Sequence, residues 1–166
     1  MLGPTSERLP PLNQGEDEDL MWEALKEALK AWEEDEVPVG AVIVKEGKVI
    51  ARGRNTRERA KDPMGHAEVN AISEAAKILG SWRLENCTLY VTLEPCLMCA
   101  GTIVNARIPR VVWGANDPKG GACTSLYEVL TDSRLNHRCD VKEGVHGELA
   151  GQWLTEYFAS KRQKKS

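Results

Sequence analysis

The tightest constraint on this chain is a pair of short motifs that must meet in space. His66-Ala67-Glu68 supplies an imidazole and a carboxylate, and after a spacer Pro95-Cys96-Leu97-Met98-Cys99 supplies two thiols. One imidazole and two cysteine sulfurs are borderline-soft donors that suit zinc. Structural zinc sites are usually closed by four protein ligands, whereas catalytic ones use three and keep a position for water. Any fold must therefore bring His66, Cys96 and Cys99 to one point with Glu68 beside it, and the ligand count points towards chemistry.

Spacing sharpens this reading. Three residues apart, Cys96 and Cys99 lie about 60° apart around an ideal helix. Pro95 suits the first turn of that helix, where its missing N–H is not needed. The helix N-terminus also lowers thiol pKa values and favours the thiolates a metal requires. His66 and Glu68, two apart, do not share a helix face. They converge if His66 opens its helix and the metal lies off that helix's end. His-x-Glu followed by Pro-Cys-x-x-Cys is the signature of zinc-dependent nucleobase deaminases. There the metal lowers the pKa of bound water to about 7. Glu68, not itself a ligand, would take the water's proton and return it to the ring nitrogen and the leaving ammonia. A lone cysteine pair is more often core and a lone glutamate usually solvated, but the four residues together form a specific combination.

Composition adds limits. A chain of 166 residues, 42% hydrophobic and 28% charged, fits one soluble globular domain. No apolar run approaches the roughly 20 residues of a membrane span. The N-terminus has no positively charged start ahead of an apolar segment, so no secretory signal is expected. With two of five cysteines committed to metal, a reducing, cytoplasmic setting fits. A net charge of −3 does not advertise a nucleic-acid binder. The charge is uneven, however: the N-terminal region is acidic, and Lys161, Arg162, Lys164 and Lys165 crowd the C-terminus. Such a tail is ordinarily a solubilising end, yet a local basic patch can still grip phosphates.

In chain order, residues 1–18 read as a disordered acidic tail and 19–166 as one domain. Asp17 or Asp19 is placed to cap a helix running to about Trp32. Val37 to Val44 suits a buried strand, Glu46-Gly47 a turn, and Val49-Ile50-Ala51 the start of the return strand. A helix follows from His66 to about Leu79, ended by Gly80. Then come a strand over Cys87 to Leu93, the cysteine helix to about Ala106 and a strand over Arg110 to Trp113. A Gly-rich loop spans Gly114 to Gly121. A short helix over Ser125 to Leu130, a strand over Cys139 to Val141 and a helix from Glu148 to about Arg162 complete the order. This alternation implies an α/β fold, a three-layer α/β/α sandwich with a central mixed five-stranded sheet, its metal helices starting at strand ends.

From about Leu20 to Lys161 the chain resembles the cytidine deaminase-like superfamily and, within it, the bacterial-type tRNA adenosine deaminases. The matching stretches include Val37-Pro38-Val39-Gly40-Ala41-Val42, Arg54-Asn55, Asp62-Pro63, Tyr90 to Cys96, Met98-Cys99-Ala100-Gly101, Ala106-Arg107-Ile108 and Asn136-His137-Arg138. The resemblance implies hydrolytic deamination of adenosine to inosine at the wobble position of a tRNA anticodon. It implies one Zn2+ per subunit on His66, Cys96 and Cys99, with Glu68 as proton shuttle. It implies that Asn55 and Asn136 contact the flipped nucleotide and that Asp117 and Lys119 meet flanking nucleotides. Phe158 and Arg162 would meet the anticodon stem-loop, and a homodimer would shape the RNA surface. Gly120-Gly121 stand where the family usually has Thr-Gly, which is expected to loosen that loop. His137 reads as structural, and Cys87, Cys123, Cys139 and His146 as core or surface residues. Two alternatives share parts of this pattern. One is a zinc deaminase of a free base or nucleotide, of guanine or cytosine type. The other is a non-catalytic RNA-binding protein whose zinc is closed by a fourth ligand such as Cys87 or Cys123.

Overall fold

Alternating side chains along four strands decide where the layers lie. The structure, a computed structural model, describes residues 3–165; Met1, Leu2 and Ser166 lie outside the described residues, as does the side chain of Lys165 in the basic run. The strands are β1 (Gly40–Lys45), β2 (Lys48–Arg54), β3 (Cys87–Leu93), β4 (Arg110–Ala115) and β5 (Asp140–Lys142), in the sheet order β2-β1-β3-β4-β5. The β1 pairings with β2 and β3 are antiparallel, and those of β4 with β3 and β5 are parallel, which makes the sheet mixed as expected. Successive strand residues point to opposite faces. Ala41, Ile43, Leu89, Val91, Val111 and Trp113 therefore join one core. Val42, Val44, Tyr90 and Val112 join another.

Helices cover both faces. The helices are α1 (Glu16–Glu33), α2 (Arg57–Ala60), α3 (Ala67–Leu79), α4 (Leu97–Ala106) and α5 (Gly147–Lys165). Ala67, Ala71 and Ala75 of α3, with Ala100 and Ile103 of α4, pack on the first face. Met21 and Ala24 of α1 pack on the second, where Leu25 and Ala28 also meet Ala150 and Trp153 of α5. Glycines set the approach on each side. A Cβ on Gly53 would lie 2.3 Å from the Ala67 carbonyl oxygen, and one on Gly40 2.0 Å from that of Ala24. Such separations are forbidden to any side chain, so Gly53 is what lets the first turn of α3 sit against β2.

Local details differ from the sequence reading in four places. Asp17 lies inside the first turn of α1 and caps nothing. Its carboxylate instead takes two bonds from Arg110, at 2.8 and 2.9 Å, and one each from Lys142 and the Tyr90 hydroxyl. Pro95 precedes the helix it was expected to open, because Cys96 is the N-cap and α4 starts at Leu97. The expected helix over Ser125 to Leu130 is a set of turns followed by a single 3-10 turn, Val129–Thr131. The N–H groups there are drawn to a distant carboxylate described below. The short α2 was not anticipated. Its N–H groups at Glu58 and Arg59 bond the buried Glu36 carboxylate, a partner far away in sequence.

Residues 3–15 carry contacts that their polar composition does not signal. Arg8 forms a two-pronged pair with Glu156 of α5, and Leu9 packs against the cluster that α1 and α5 share. Among the described residues no helix is long and apolar enough to cross a membrane.

Candidate active site

His66 and Cys96 hold equivalent places in the fold. Each is the N-cap residue of its helix, His66 for α3 and Cys96 for α4, with extended backbone. The positive ends of two helix dipoles thus converge where thiolates are wanted. Cys99 follows in the first turn of α4 and is buried. The His66 Nδ1 atom lies 3.6 Å from Cys96 Sγ and 3.5 Å from Cys99 Sγ. Tetrahedral bonds of zinc-like length, with sulfur at 2.3 Å and nitrogen near 2.0 Å, would hold sulfur and nitrogen about 3.6 Å apart. The three donors fit a tetrahedral metal as they stand. All three ligand atoms lie within 4.8 Å of one another, and among the described residues no other His, Cys, Asp or Glu joins the group. Cys123, offered above as a closing ligand, directs its thiol to the Pro95 carbonyl, and Cys87 is buried at the start of β3. The closed structural site is therefore not built.

Electrostatics of the metal-free group show how the protons are shared. Cys96 is pulled down to about 3, first by the hydrogen bond from the Cys99 thiol and also by that of His66. Cys99, which keeps the proton, is pushed upward by the same bond and by burial. The His66 imidazole is raised by its bond to Cys96. Glu68, 4% exposed in the first turn of α3, lines the same cavity as His66 and Cys96. Burial raises its carboxyl above the ordinary value. A metal taking both sulfurs would expel the shared proton. Glu68 would remain as the nearby acid or base.

A cavity of about 160 Å³ opens over this group, lined by His66, Glu68, Cys96, Asn55, Arg57 and Phe158 among others. Asn55 is buried, and its Oδ1 accepts the Arg57 N–H at 3.2 Å. Through Val37, Leu93 and Phe158 the cavity adjoins a wider groove of about 790 Å³. Asp117, Lys119, Phe158 and Arg162 all line that groove, so the Gly-rich loop and the distant α5 share one surface. Lys161 lines it too, paired with Asp35 and over the Tyr157 ring.

Asn136 is not brought to this pocket. It lines a separate depression with Arg83, Arg107, Pro109 and His137, at the C-terminal end of α4. A ten-residue helix is about 15 Å long, which separates Asn136 from Asn55 within one chain. His137 Nε2 lies 2.7 Å from the Ile108 carbonyl, the structural role expected of it.

Glu94 lies inside the Tyr90 to Cys96 stretch, and its sequence context assigns it no task. Its carboxylate is 2% exposed, lines the cavity and accepts backbone N–H groups from Asp117, Cys123, Thr124 and Ser125, at 2.9 to 3.0 Å, plus the Ser125 hydroxyl. Burial pushes its pKa up, but these donors outweigh burial and hold it at about 2. The Gly-rich loop is thereby pinned, against the expectation of looseness. Gly120 donates its N–H to Asp117, and Gly121 lies so close that a Cβ would stand 2.3 Å from the Glu94 carboxyl carbon.

Comparison with known proteins agrees with this geometry. The family model of the MafB19-like deaminases matches residues 15–159. A tRNA-specific adenosine deaminase of Bacillus subtilis (strain 168) is 51% identical over 150 residues, covering 90% of this chain and 93% of that protein. A structure from biochemical and structural studies of A-to-I editing by tRNA:A34 deaminases at the wobble position of transfer RNA superposes with a TM-score of 0.78. It is 45% identical and covers 81% of this chain and 98% of that one. A guanine deaminase structure from Bacillus subtilis gives a TM-score of 0.57 at 42% identity, over 60% of this chain and 64% of that one. With an imidazole, two thiols and a buried carboxylate grouped together, a family model matching residues 15–159 and a Bacillus subtilis relative aligned over 90% of it, the chain belongs to the deaminase family, among the tRNA-specific adenosine deaminases.

Proposed function

We propose that this protein converts adenosine to inosine at the wobble position of a tRNA anticodon, releasing ammonia. The observation that carries this reading is the continuity of the small metal-side cavity with a groove lined by Lys119, Phe158, Lys161 and Arg162. A free base needs no such extension. A splayed-out loop nucleotide does, because its neighbours must be stacked and their phosphates held. Guanine deamination, favoured by one structural relative, has weaker support, since that likeness covers a smaller share of the chain than the tRNA deaminases do.

We assign zinc to His66, Cys96 and Cys99, on the strength of donor type and separation. When bound, it would make hydroxide available near neutral pH. Glu68 Oε would accept one proton of the attacking water and deliver it to the purine ring nitrogen, then take the proton of the hydroxyl newly bound to C6 and pass it to the departing amine, which leaves Glu68 ionised again. Asn55, fixed by Arg57, orients the base, while Val37, Leu93 and Phe158 keep bulk water from its faces. Asp117, Lys119 and Arg162 hold the flanking nucleotides.

We also propose a cytoplasmic homodimer. Met64, Leu97, Leu126 and Tyr127 are each more than half exposed, on segments flanking the metal donors or following the Gly-rich loop. A partner subunit covering these side chains would remove their apolar surface from water. A partner subunit would also give Asn136 a pocket to reach, since its own lies beyond α4. A single deaminase domain completes the proposal, its first helix starting at Glu16 and anchored to the sheet by Asp17 rather than opening at residue 19.

The deciding experiment incubates the zinc-loaded protein with an anticodon stem-loop, guanine and cytidine in parallel. Inosine in the stem-loop with little turnover of the others is the expected result. Preference for the free compounds would overturn the assignment. Sedimentation analysis, expected to give twice the chain mass, tests the dimer.

A further inference from the structure

We propose that Glu94 is a positioning residue that sets the shape of the RNA-side loop and, through it, the choice of nucleotide beside the target adenosine. This rests on the tRNA deaminase reading above. The loop carrying Asp117 and Lys119 has no regular secondary structure of its own. What fixes it is one buried carboxylate, reached by the N–H groups of Asp117, Cys123, Thr124 and Ser125 and by the Ser125 hydroxyl.

Two features make this more than loop packing. First, Glu94 stands between β3 and Cys96, so the segment delivering a metal donor also carries the hub of the loop. The Pro95 carbonyl adds a bond from the Ala122 N–H at 2.9 Å. Second, a Cβ on Gly121 would stand 2.3 Å from the Glu94 carboxyl carbon, so a side chain there would push the carboxylate off its donors. A carboxylate accepts at both oxygens from several donors at once. An amide has one accepting oxygen, and its NH2 group would face N–H donors. Glu94→Gln therefore preserves size while reversing the polarity of half the hub. The Asp117 N–H is bound to one oxygen and those of Cys123, Thr124 and Ser125 to the other, so either orientation of the amide releases part of the loop.

Stem-loops differing only in the nucleotide next to the target adenosine test this, with kcat and KM measured for wild type and Glu94→Gln after zinc content is matched. The loss should fall on KM more than on kcat, and the preference among the stem-loops should shrink by about tenfold, the equivalent of one charged hydrogen bond. A destabilised but otherwise intact enzyme would lose activity on all stem-loops in proportion. An unchanged preference in folded, zinc-loaded Glu94→Gln overturns the proposal. Should that variant not fold, Ser125→Ala and Gly121→Ala disturb the hub from the other side, and each must shift the same preference; an unchanged ratio in both overturns it equally. If wild type forms no inosine in any stem-loop, the tRNA reading fails. Amide exchange at Asp117, Thr124 and Ser125 then decides Glu94's part separately, by rising in Glu94→Gln or by staying at the wild-type rate and sinking the claim.

Discussion

Glu68 shows how much one position can carry. Its carboxyl is buried, its pKa is raised by that burial, and it sits two residues beyond a metal donor without belonging to the donor set. In the mechanism proposed above it moves protons and holds no metal. Glu68→Ala is expected to keep one zinc per chain and an unchanged circular dichroism spectrum while losing at least about 10²–10⁴-fold in turnover, the range of general acid–base catalysis. Inosine release and metal content measured on the same sample check this, and near-normal turnover would remove Glu68 from the mechanism. His66, Cys96, Cys99 and Glu68 were legible in the sequence because ligand chemistry resides in residue type and short spacing. Glu94 was not, since its donors lie 23 to 31 residues further along the chain. Asn136 was placed with Asn55 by resemblance, and spacing could not reveal that α4 stands between them.

Between residue and molecule, elements are joined by a few ionic clamps. The clearest is Asp17, which ties α1 to three neighbouring strands through Tyr90, Arg110 and Lys142. The Arg110 guanidinium, with help from Lys142 and Tyr90, holds its carboxyl well below the ordinary 3.8. A carboxyl lowered on folding stabilises the native state fully above its unfolded pKa, and that contribution fades as pH falls through the folded value. Urea midpoints of wild type and Asp17→Asn should therefore differ by a constant amount from neutral pH down to about 4, then converge at lower pH. A gap that persisted undiminished into strong acid would mean the clamp is not ionic. This clamp also marks a limit of sequence reading at the element scale. Periodicity located α1, but a helix-starting Asp looks like a cap until the strands that claim it are in place. Strand β3 has the bounds its sequence predicts, because β-branched and aromatic residues crowd a short run between turn signals. The stretch from Ser125 to Leu130 reads as a helix because nothing local reports that Glu94 competes for the Ser125 N–H and those just before it.

For the molecule as a whole, the question is how a chain of net charge −3 holds a polyanion. Long-range attraction cannot do it, so binding must come from local cations set close to phosphates. The three-layer fold supplies that by bringing the last turns of α5 beside the Gly-rich loop, where Lys119, Lys161 and Arg162 border one groove. These cations are not equivalent. Lys161 is already paired with Asp35 and must give up that contact to serve a phosphate. Arg162, with a planar guanidinium matched to phosphate oxygens, should contribute more. Each phosphate contact to single-stranded RNA adds about 0.7 to the slope of log K against log salt. Arg162→Gln is expected to flatten that slope by about 0.7 and to weaken stem-loop binding most at low salt. Lys161→Gln should change it less, since losing its cation also frees Asp35. Fluorescence anisotropy across a salt series distinguishes these outcomes. Equal slopes for wild type and Arg162→Gln would move the RNA path off α5, and with it the reason for reading the groove as part of the active site.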